Sequence, residues 1–164
     1  MSGGKQREKE YILSVLAHNN AGVLLRISGL FSRRCYNIKS IVAAQTVDPE
    51  YSEILIVVQG DERIVRQVDK QLSKLVDIEE VTILSWENSV VREHLLLKAR
   101  RTPENSEKLV EIANVFHAGI LNVSPESMVL ELTGSPSELD SFTELYKPYG
   151  ILKVLRTGSM AMEK

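Results

Sequence analysis

Residues 11–34 read YILSVLAHNNAGVLLRISGLFSRR, and the change of period inside that stretch decides the architecture. Residues 11–18 form a short apolar run of strand-forming types that ends on the polar turn His18-Asn19-Asn20. Beyond it Val23, Leu24, Ile27, Leu30 and Phe31 recur at helical spacing, Asn20 stands where an N-cap is expected, and Arg33-Arg34 suits the negative C-terminal end of a helix. A strand therefore passes straight into a helix through an Asn-rich turn that contains Gly22.

The same alternation of periods continues outward. Asn37 opens an extended run over residues 38–47, the turn residues Asp48-Pro49-Glu50 close it, and residues 52–59 follow as a second strand of a hairpin. From Asp61 the residues Ile64, Val65, Val68, Leu72 and Leu75 make one helical face, and residues 81–86 give a fourth strand. Residues 87–93 are polar and predict a linker, after which the order restarts. A strand over 95–99 leads to Thr102-Pro103-Glu104, a helix start, with Leu109, Ile112, Ala113 and Phe116 as its buried face and Gly119 as its stop. Strands over 120–123 and 128–133 flank the turn at 124–127. Ser135-Pro136 opens a helix carrying Leu139, Phe142 and Leu145, and residues 150–155 close the pattern. The expected fold class is α+β, two ferredoxin-like βαββαβ domains with antiparallel four-stranded sheets. The expected boundaries are a disordered tail at 1–10, a first domain at 11–86, a linker at 87–93 and a second domain at 94–164.

In the strand around residues 53–58, Ile54, Ile56 and Val58 alternate with Leu55 and Val57, so both faces are apolar, whereas a sheet with one wet face shows polar alternation. Something is expected to cover the second face or to extend an edge, and a second copy of the chain is the simplest candidate, so a homodimer is predicted.

Composition narrows the function classes. Twenty Lys plus Arg stand against 22 Asp plus Glu, a net charge of −2, which offers no positive field for nucleic acid or an anionic membrane. No apolar run is long enough for a membrane span and the first ten residues lack a signal-like core, so the cytoplasm is the expected location. A single cysteine, Cys35, excludes an internal disulfide and a multi-thiolate metal site in one chain. No nucleophile elbow, HExxH, P-loop or GxGxxG is present, and His18, His94 and His117 are far apart, so no catalytic residue and no metal ligand is assigned. An RNA-binding module of this fold would need aromatics on its central strands, and residues 38–47 and 52–59 contain none.

The turn at 18–24 is the best candidate for binding. The first N–H groups of a helix have no partner within it and carry the positive end of the dipole, so those near Gly22, Val23 and Leu24 suit a carboxylate. Asn19 can add a donor and an acceptor, which fits a zwitterionic amino acid. Alternatively, Asn19 and Asn20 make a capped turn and nothing more.

The motifs N-x-x-G at 19–22, L-F-x-R-R-x-Y-N-I at 30–38 and K-Q-L-x-K-L-V at 70–76, with Arg156-Thr157-Gly158 near the end, resemble the small regulatory subunit of acetolactate synthase (acetohydroxyacid synthase), whose N-terminal half is an ACT domain. The resemblance implies a chain that is not an enzyme on its own. It would activate a large catalytic subunit and confer feedback inhibition by a branched-chain amino acid, usually valine, bound where two ACT domains pair. It places Asn19, Gly22, Val23 and Leu24 in the effector turn, and Asn37 and Ile38 on the side that closes the site from the neighbouring subunit. It also implies no cofactor on this chain, with thiamine diphosphate, magnesium and FAD on the large subunit, and an ACT-like C-terminal domain. The family usually has Gly where this chain has Cys35, which points to a loop conformation that a side chain occupies at a cost. A free-standing amino-acid-binding ACT protein is the other reading. Of the remaining residues, Cys35 reads as a small buried hydrophobe, His18 as an exposed turn residue, Arg33-Arg34 as a solvated terminus and Trp86 as an interface or packing anchor. Gly29 reads as a site of close helix approach.

Overall fold

The structure, a computed structural model, describes residues 9–164. The chain divides into two compact units, the first running to Val90 and regaining Ser159–Lys164, the second spanning Val91–Gly158. In the first, β1 (Lys9–His18), α1 (Val23–Arg33), β2 (Ile38–Gln45), β3 (Tyr51–Gly60), α2 (Glu62–Leu72) and β4 (Ile78–Leu84) form an antiparallel sheet in the order β2-β3-β1-β4. The second repeats this with β5 (Ser89–Arg100), α3 (Ser106–Val115), β6 (Gly119–Val123), β7 (Ser127–Gly134), α4 (Pro136–Tyr146) and β8 (Ile151–Arg156), in the order β6-β7-β5-β8. A further strand, β9 (Met160–Glu163), pairs β5, so the second sheet has five strands and not the expected four. No described helix is long and apolar enough to cross a membrane.

The cores follow from the periods. One side of β1 and β3 buries Leu13, Val15, Ala17, Ile54, Ile56 and Val58 against Val23, Ile27, Leu30 and Phe31 of α1 and Val65, Val68 and Leu72 of α2. The second unit packs Leu95, Leu97, Ala99, Met128, Leu130 and Leu132 against Leu109, Ala113, Leu139, Phe142 and Tyr146. Burial of each large apolar side chain is worth about 1.5–3 kcal/mol. Two positions on the expected helical faces point outward: Leu24 is 48% exposed and Leu145 is 48% exposed. Residue 146 completes the α4 stripe instead, because 139, 142 and 146 follow the i, i+3, i+7 rule. Tyr146 donates its hydroxyl to the Leu109 carbonyl at 2.6 Å, and burial raises its pKa.

Several boundaries differ from expectation. Residues 1–8 of the expected tail lie outside the described residues, while Lys9 and Glu10 are the first two of β1, in register with Gly60 and Gln59. The expected linker at 87–93 is largely strand: Ser89, Val91 and Glu93 alternate inward as the start of β5. The polar composition of that segment hid the alternation, because Glu93 is buried against Arg156, whose Nε donates to it at 2.7 Å. Arg156 also bonds Asp140, and although burial opposes its charge, the two carboxylates hold its pKa above the usual value. Thr157 completes this corner by exchanging hydrogen bonds with the His94 backbone at 3.0 Å each way.

The second face of β3 is closed within the single chain, with Leu55 8% and Val57 1% exposed. That burial covers the second face without a second copy, so of the two expectations only the extended edge still calls for one. Beside them, Ala161, Met162 and Glu163 of β9 share a cavity of about 370 Å³ with Ser14, Leu16, Thr82 and Leu84 on the helix-free side.

Both units carry the same backbone irregularities. Helix α1 ends with Cys35 at φ 55, its N–H bonded to the Ser32 carbonyl, while the Tyr36 N–H reaches back to Phe31. Helix α3 ends with His117 at φ 54, bonded to Asn114, with Ala118 reaching back to Ala113. Each is a Schellman stop in which a residue with a side chain holds the left-handed position that Gly usually takes. The stop expected at Gly119 is therefore at His117, and Gly119 is already strand. Cys35 is exposed, which corrects its reading as a buried hydrophobe. Register shifts between Leu16 and Ala17 and between Ile38 and Ser40 recur between Lys98 and Ala99 and between Ile120 and Asn122, at the same offset that relates Cys35 to His117.

Candidate functional site

The strand-to-helix turn of the first unit is built differently from a capped turn. The N-cap of α1 is Gly22, at φ 88, with no side-chain cap, and not Asn20. A Cβ at position 22 would meet nothing within 4 Å, so the backbone angle and not crowding calls for glycine there. The helical ladder begins with the Arg26 N–H bonding the Gly22 carbonyl at 3.0 Å. The Val23 N–H turns to the Asn20 carbonyl at 3.4 Å, which leaves the Leu24 and Leu25 N–H groups as those without a helical carbonyl one turn back, at the positive end of the helix.

Asn19 is occupied elsewhere. Its backbone N–H donates to the Glu50 carbonyl at 2.7 Å, its Nδ2 donates to the Pro49 carbonyl at 3.1 Å, and its Oδ1 accepts from the Ser52 hydroxyl at 3.1 Å. The turn is tied in this way to the loop between β2 and β3. Gln45 Nε2 donates to the same Pro49 carbonyl at 3.0 Å, and the Asp48 carboxylate holds the Glu50 N–H at 3.0 Å. On the other flank the His18 N–H bonds the Asp77 carbonyl at 2.8 Å, and Arg26 pairs with the Asp77 carboxylate at 2.8 Å. The His18 ring lies 5.0 Å from that of Tyr51 and 3.9 Å from the Glu79 carboxylate.

These bonds frame a cavity of about 140 Å³ lined by His18, Asn19, Asn20, Gly22, Val23, Leu24, Ala43, Ser52 and Ile54. Four of the expected residues, Asn19, Gly22, Val23 and Leu24, meet in it. Asn37 and Ile38 stand apart, just past the Schellman stop, Asn37 exposed and Ile38 partly packed on the core. Sequence reasoning missed Ser52, Ala43 and Ile54. The signal for Ser52 was its phase: the side of β3 that faces the helices reads Ser52, Ile54, Ile56, Val58, a single hydroxyl at the end of an apolar row.

The second unit has the matching tether with a different side chain. The Arg101 N–H donates to the Glu126 carbonyl at 2.9 Å, and its guanidinium reaches both the Ser124 carbonyl, at 3.1 Å, and the Ser106 hydroxyl of α3, at 2.9 Å. Among the described residues, no three His, Cys, Asp or Glu side chains are grouped to hold a metal ion. Trp86 is bound within the first unit, its Nε1 donating to the Glu10 carbonyl at 2.8 Å. Gly29 has open space where a Cβ would stand, so no described helix of the chain packs closely on it.

Residues 92–164 match the family described as the small subunit of acetolactate synthase, and residues 13–80 match the AHAS small subunit-like ACT domain. A probable acetolactate synthase small subunit of Archaeoglobus fulgidus is 40% identical over 153 residues, 93% of this chain and 96% of that one. The acetolactate synthase small subunit of Mycolicibacterium smegmatis is 35% identical over 154 residues, 94% of this chain and 91% of that one. The crystal structure of the acetolactate synthase small subunit from Thermotoga maritima superposes with a TM-score of 0.88 at 34% identity, over 95% of this chain and 98% of that one.

Proposed function

The chain belongs to the family of acetolactate synthase small subunits, and from that premise we propose that it activates a large catalytic subunit and makes it subject to feedback inhibition by a branched-chain amino acid, valine in the first instance. The effector sits where two copies of the first unit meet. The open N–H groups at the start of α1 take its carboxylate, Ala43, Leu24 and Ile54 face its side chain, and Asn37 and Ile38 of the second copy close over it. Catalysis, with thiamine diphosphate, magnesium and FAD, resides in the large subunit, and the assembly works in the cytoplasm.

The observation that carries this reading is the size and position of the cavity. At about 140 Å³ it falls below the ~300–1,000 Å³ usual for a small-molecule site, as half of a shared pocket would. It opens beside β2, the edge strand of its sheet, where Ile41 and Ala43 are exposed. An edge strand is a template for pairing with another chain. An effector bound across that junction favours whichever dimer arrangement joins its two halves, and only such differential affinity can shift the activity of a partner.

Calorimetry with valine on the wild type, Asn19→Ala and Asn37→Ala tests the site, with both substitutions expected to weaken binding by at least about tenfold. Undiminished binding in both variants defeats it. Reconstitution with the large subunit tests the role: activity rises when this chain is added and falls again with valine. Activity indifferent to the chain favours the free-standing amino-acid-binding protein.

A further inference from the structure

We infer that Ser52 is the hydrogen-bond acceptor for the ammonium group of the effector, and that Asn19 acts as a positioning residue for that hydroxyl instead of touching the effector itself. The inference rests on the effector reading above and assigns within it the group that distinguishes an amino acid from a plain carboxylic acid.

The argument begins with the orientation of the Asn19 amide. The Pro49 carbonyl, 3.1 Å from the amide, can only accept, so the end that faces it must be Nδ2. Oδ1 is thereby turned to Ser52, 3.1 Å away, and since a carbonyl oxygen also only accepts, the single hydroxyl proton of Ser52 is committed to Asn19. What remains on Ser52 Oγ is a pair of lone pairs and no donor. Reversing the amide would set two carbonyl oxygens against each other at Pro49, so the loop carbonyl fixes the polarity of the whole relay.

The location gives that polarity a use. Ser52 lines the same cavity as Leu24, whose N–H is one of the open donors at the start of α1, so a donor and an acceptor belong to one small space. A free amino acid presents a carboxylate that only accepts and an ammonium that only donates. The helix start matches the first and Ser52 Oγ the second, while Ala43, Leu24 and Ile54 are apolar. A carboxylic acid without the ammonium would leave the hydroxyl's lone pairs desolvated, which is how a polar site rejects an analogue lacking its hydrogen-bonding group.

The test is calorimetric titration of the full-length protein with valine and with 3-methylbutanoate, which keeps the carboxylate and branched side chain and lacks the ammonium. Wild type should bind valine at least about tenfold more tightly than 3-methylbutanoate. Ser52→Ala should weaken valine by about 10- to 100-fold while leaving 3-methylbutanoate within about twofold, so that the preference collapses. Ser52→Thr keeps the hydroxyl and should keep the preference. Asn19→Ala frees the Ser52 proton and should lower the preference in the same direction, with 3-methylbutanoate still bound. A Ser52→Ala protein that binds valine as wild type does, or that loses both ligands in equal proportion, overturns the assignment and leaves the effector reading standing. A wild type that binds neither ligand removes the effector reading itself, before any variant is made.

Discussion

Replacing Cys35 by Gly should stabilise the first unit, and the size of the gain can be worked from the backbone. Cys35 sits at φ 55 in a completed Schellman stop, with its side chain exposed and its N–H already bonded to Ser32. A residue with a Cβ in the left-handed region costs about 1–2 kcal/mol. Glycine removes that cost but brings about 0.4–1 kcal/mol of extra freedom in the unfolded chain. The net expectation is a gain of about 0.5–1 kcal/mol, or about 1–4 °C in melting temperature for a protein of this size. The urea midpoint of Cys35→Gly should therefore rise, while Cys35→Ala, which keeps the Cβ, stays near wild type. His117→Gly at the equivalent place in the second unit should give a like gain, and the two should add because the two N–H groups bond different residues, Ser32 and Asn114, each within its own unit. Loss of stability in Cys35→Gly, or an equal gain in Cys35→Ala, would refute the reasoning, since the effect would then belong to the thiol and not to the backbone.

Gly29 lies inside α1 with nothing within 4 Å of a built Cβ, so Gly29→Ala should raise stability by about 0.5–1 kcal/mol in a thermal melt. A decrease would mean that this part of the helix is covered in solution by another chain. Glu138 closes the capping box of α4 by accepting from the Ser135 backbone, and the Ser135 backbone and hydroxyl hold its pKa below the ordinary 4.5. Its folded pKa is depressed, so the contribution is present above the unfolded value and fades as pH falls through the folded one. An NMR titration should place the Glu138 midpoint below that of a free glutamate, and a midpoint at or above it would dissolve the capping box.

Element order was legible because the apolar period changes cleanly between 2 and 3.6 along the chain, and the repeated βαββαβ pattern needed only that. Helix starts were legible where a side chain makes the cap, as at Asp61, which accepts the Ile64 N–H at 2.8 Å, and at Ser135. They were missed where backbone geometry makes it. Gly22 starts α1 through its φ, whereas at Thr102-Pro103-Glu104 side chains do make the cap, the Asn105 N–H donating to the Thr102 hydroxyl at 3.3 Å and the Thr102 N–H to Asn105 Oδ1 at 2.8 Å, and the Thr102 carbonyl already takes the N–H of Ser106, where α3 begins. Glu93 and Ser89 hid the start of β5, because a paired or shielded polar side chain can occupy an inward phase that composition alone assigns to solvent. In the candidate site the glycine turn could be read locally. The use of Asn19 could not, because its partners Pro49 and Ser52 are some thirty residues away in sequence and adjacent only after the hairpin has formed.

The two tethers, Asn19 in the first unit and Arg101 in the second, join the same pair of places: the exit of the first strand and the loop of the hairpin that follows. They differ in reach. The arginine runs past the loop to a hydroxyl on the opening turn of its helix, like a bolt passed through a corner, whereas the shorter amide stops at the loop and leaves that opening turn as a socket. Protein engineers can use this contrast directly, because trimming Arg101 together with lengthening Asn19 is the smallest pair of edits that would move the open corner from one half of the chain to the other.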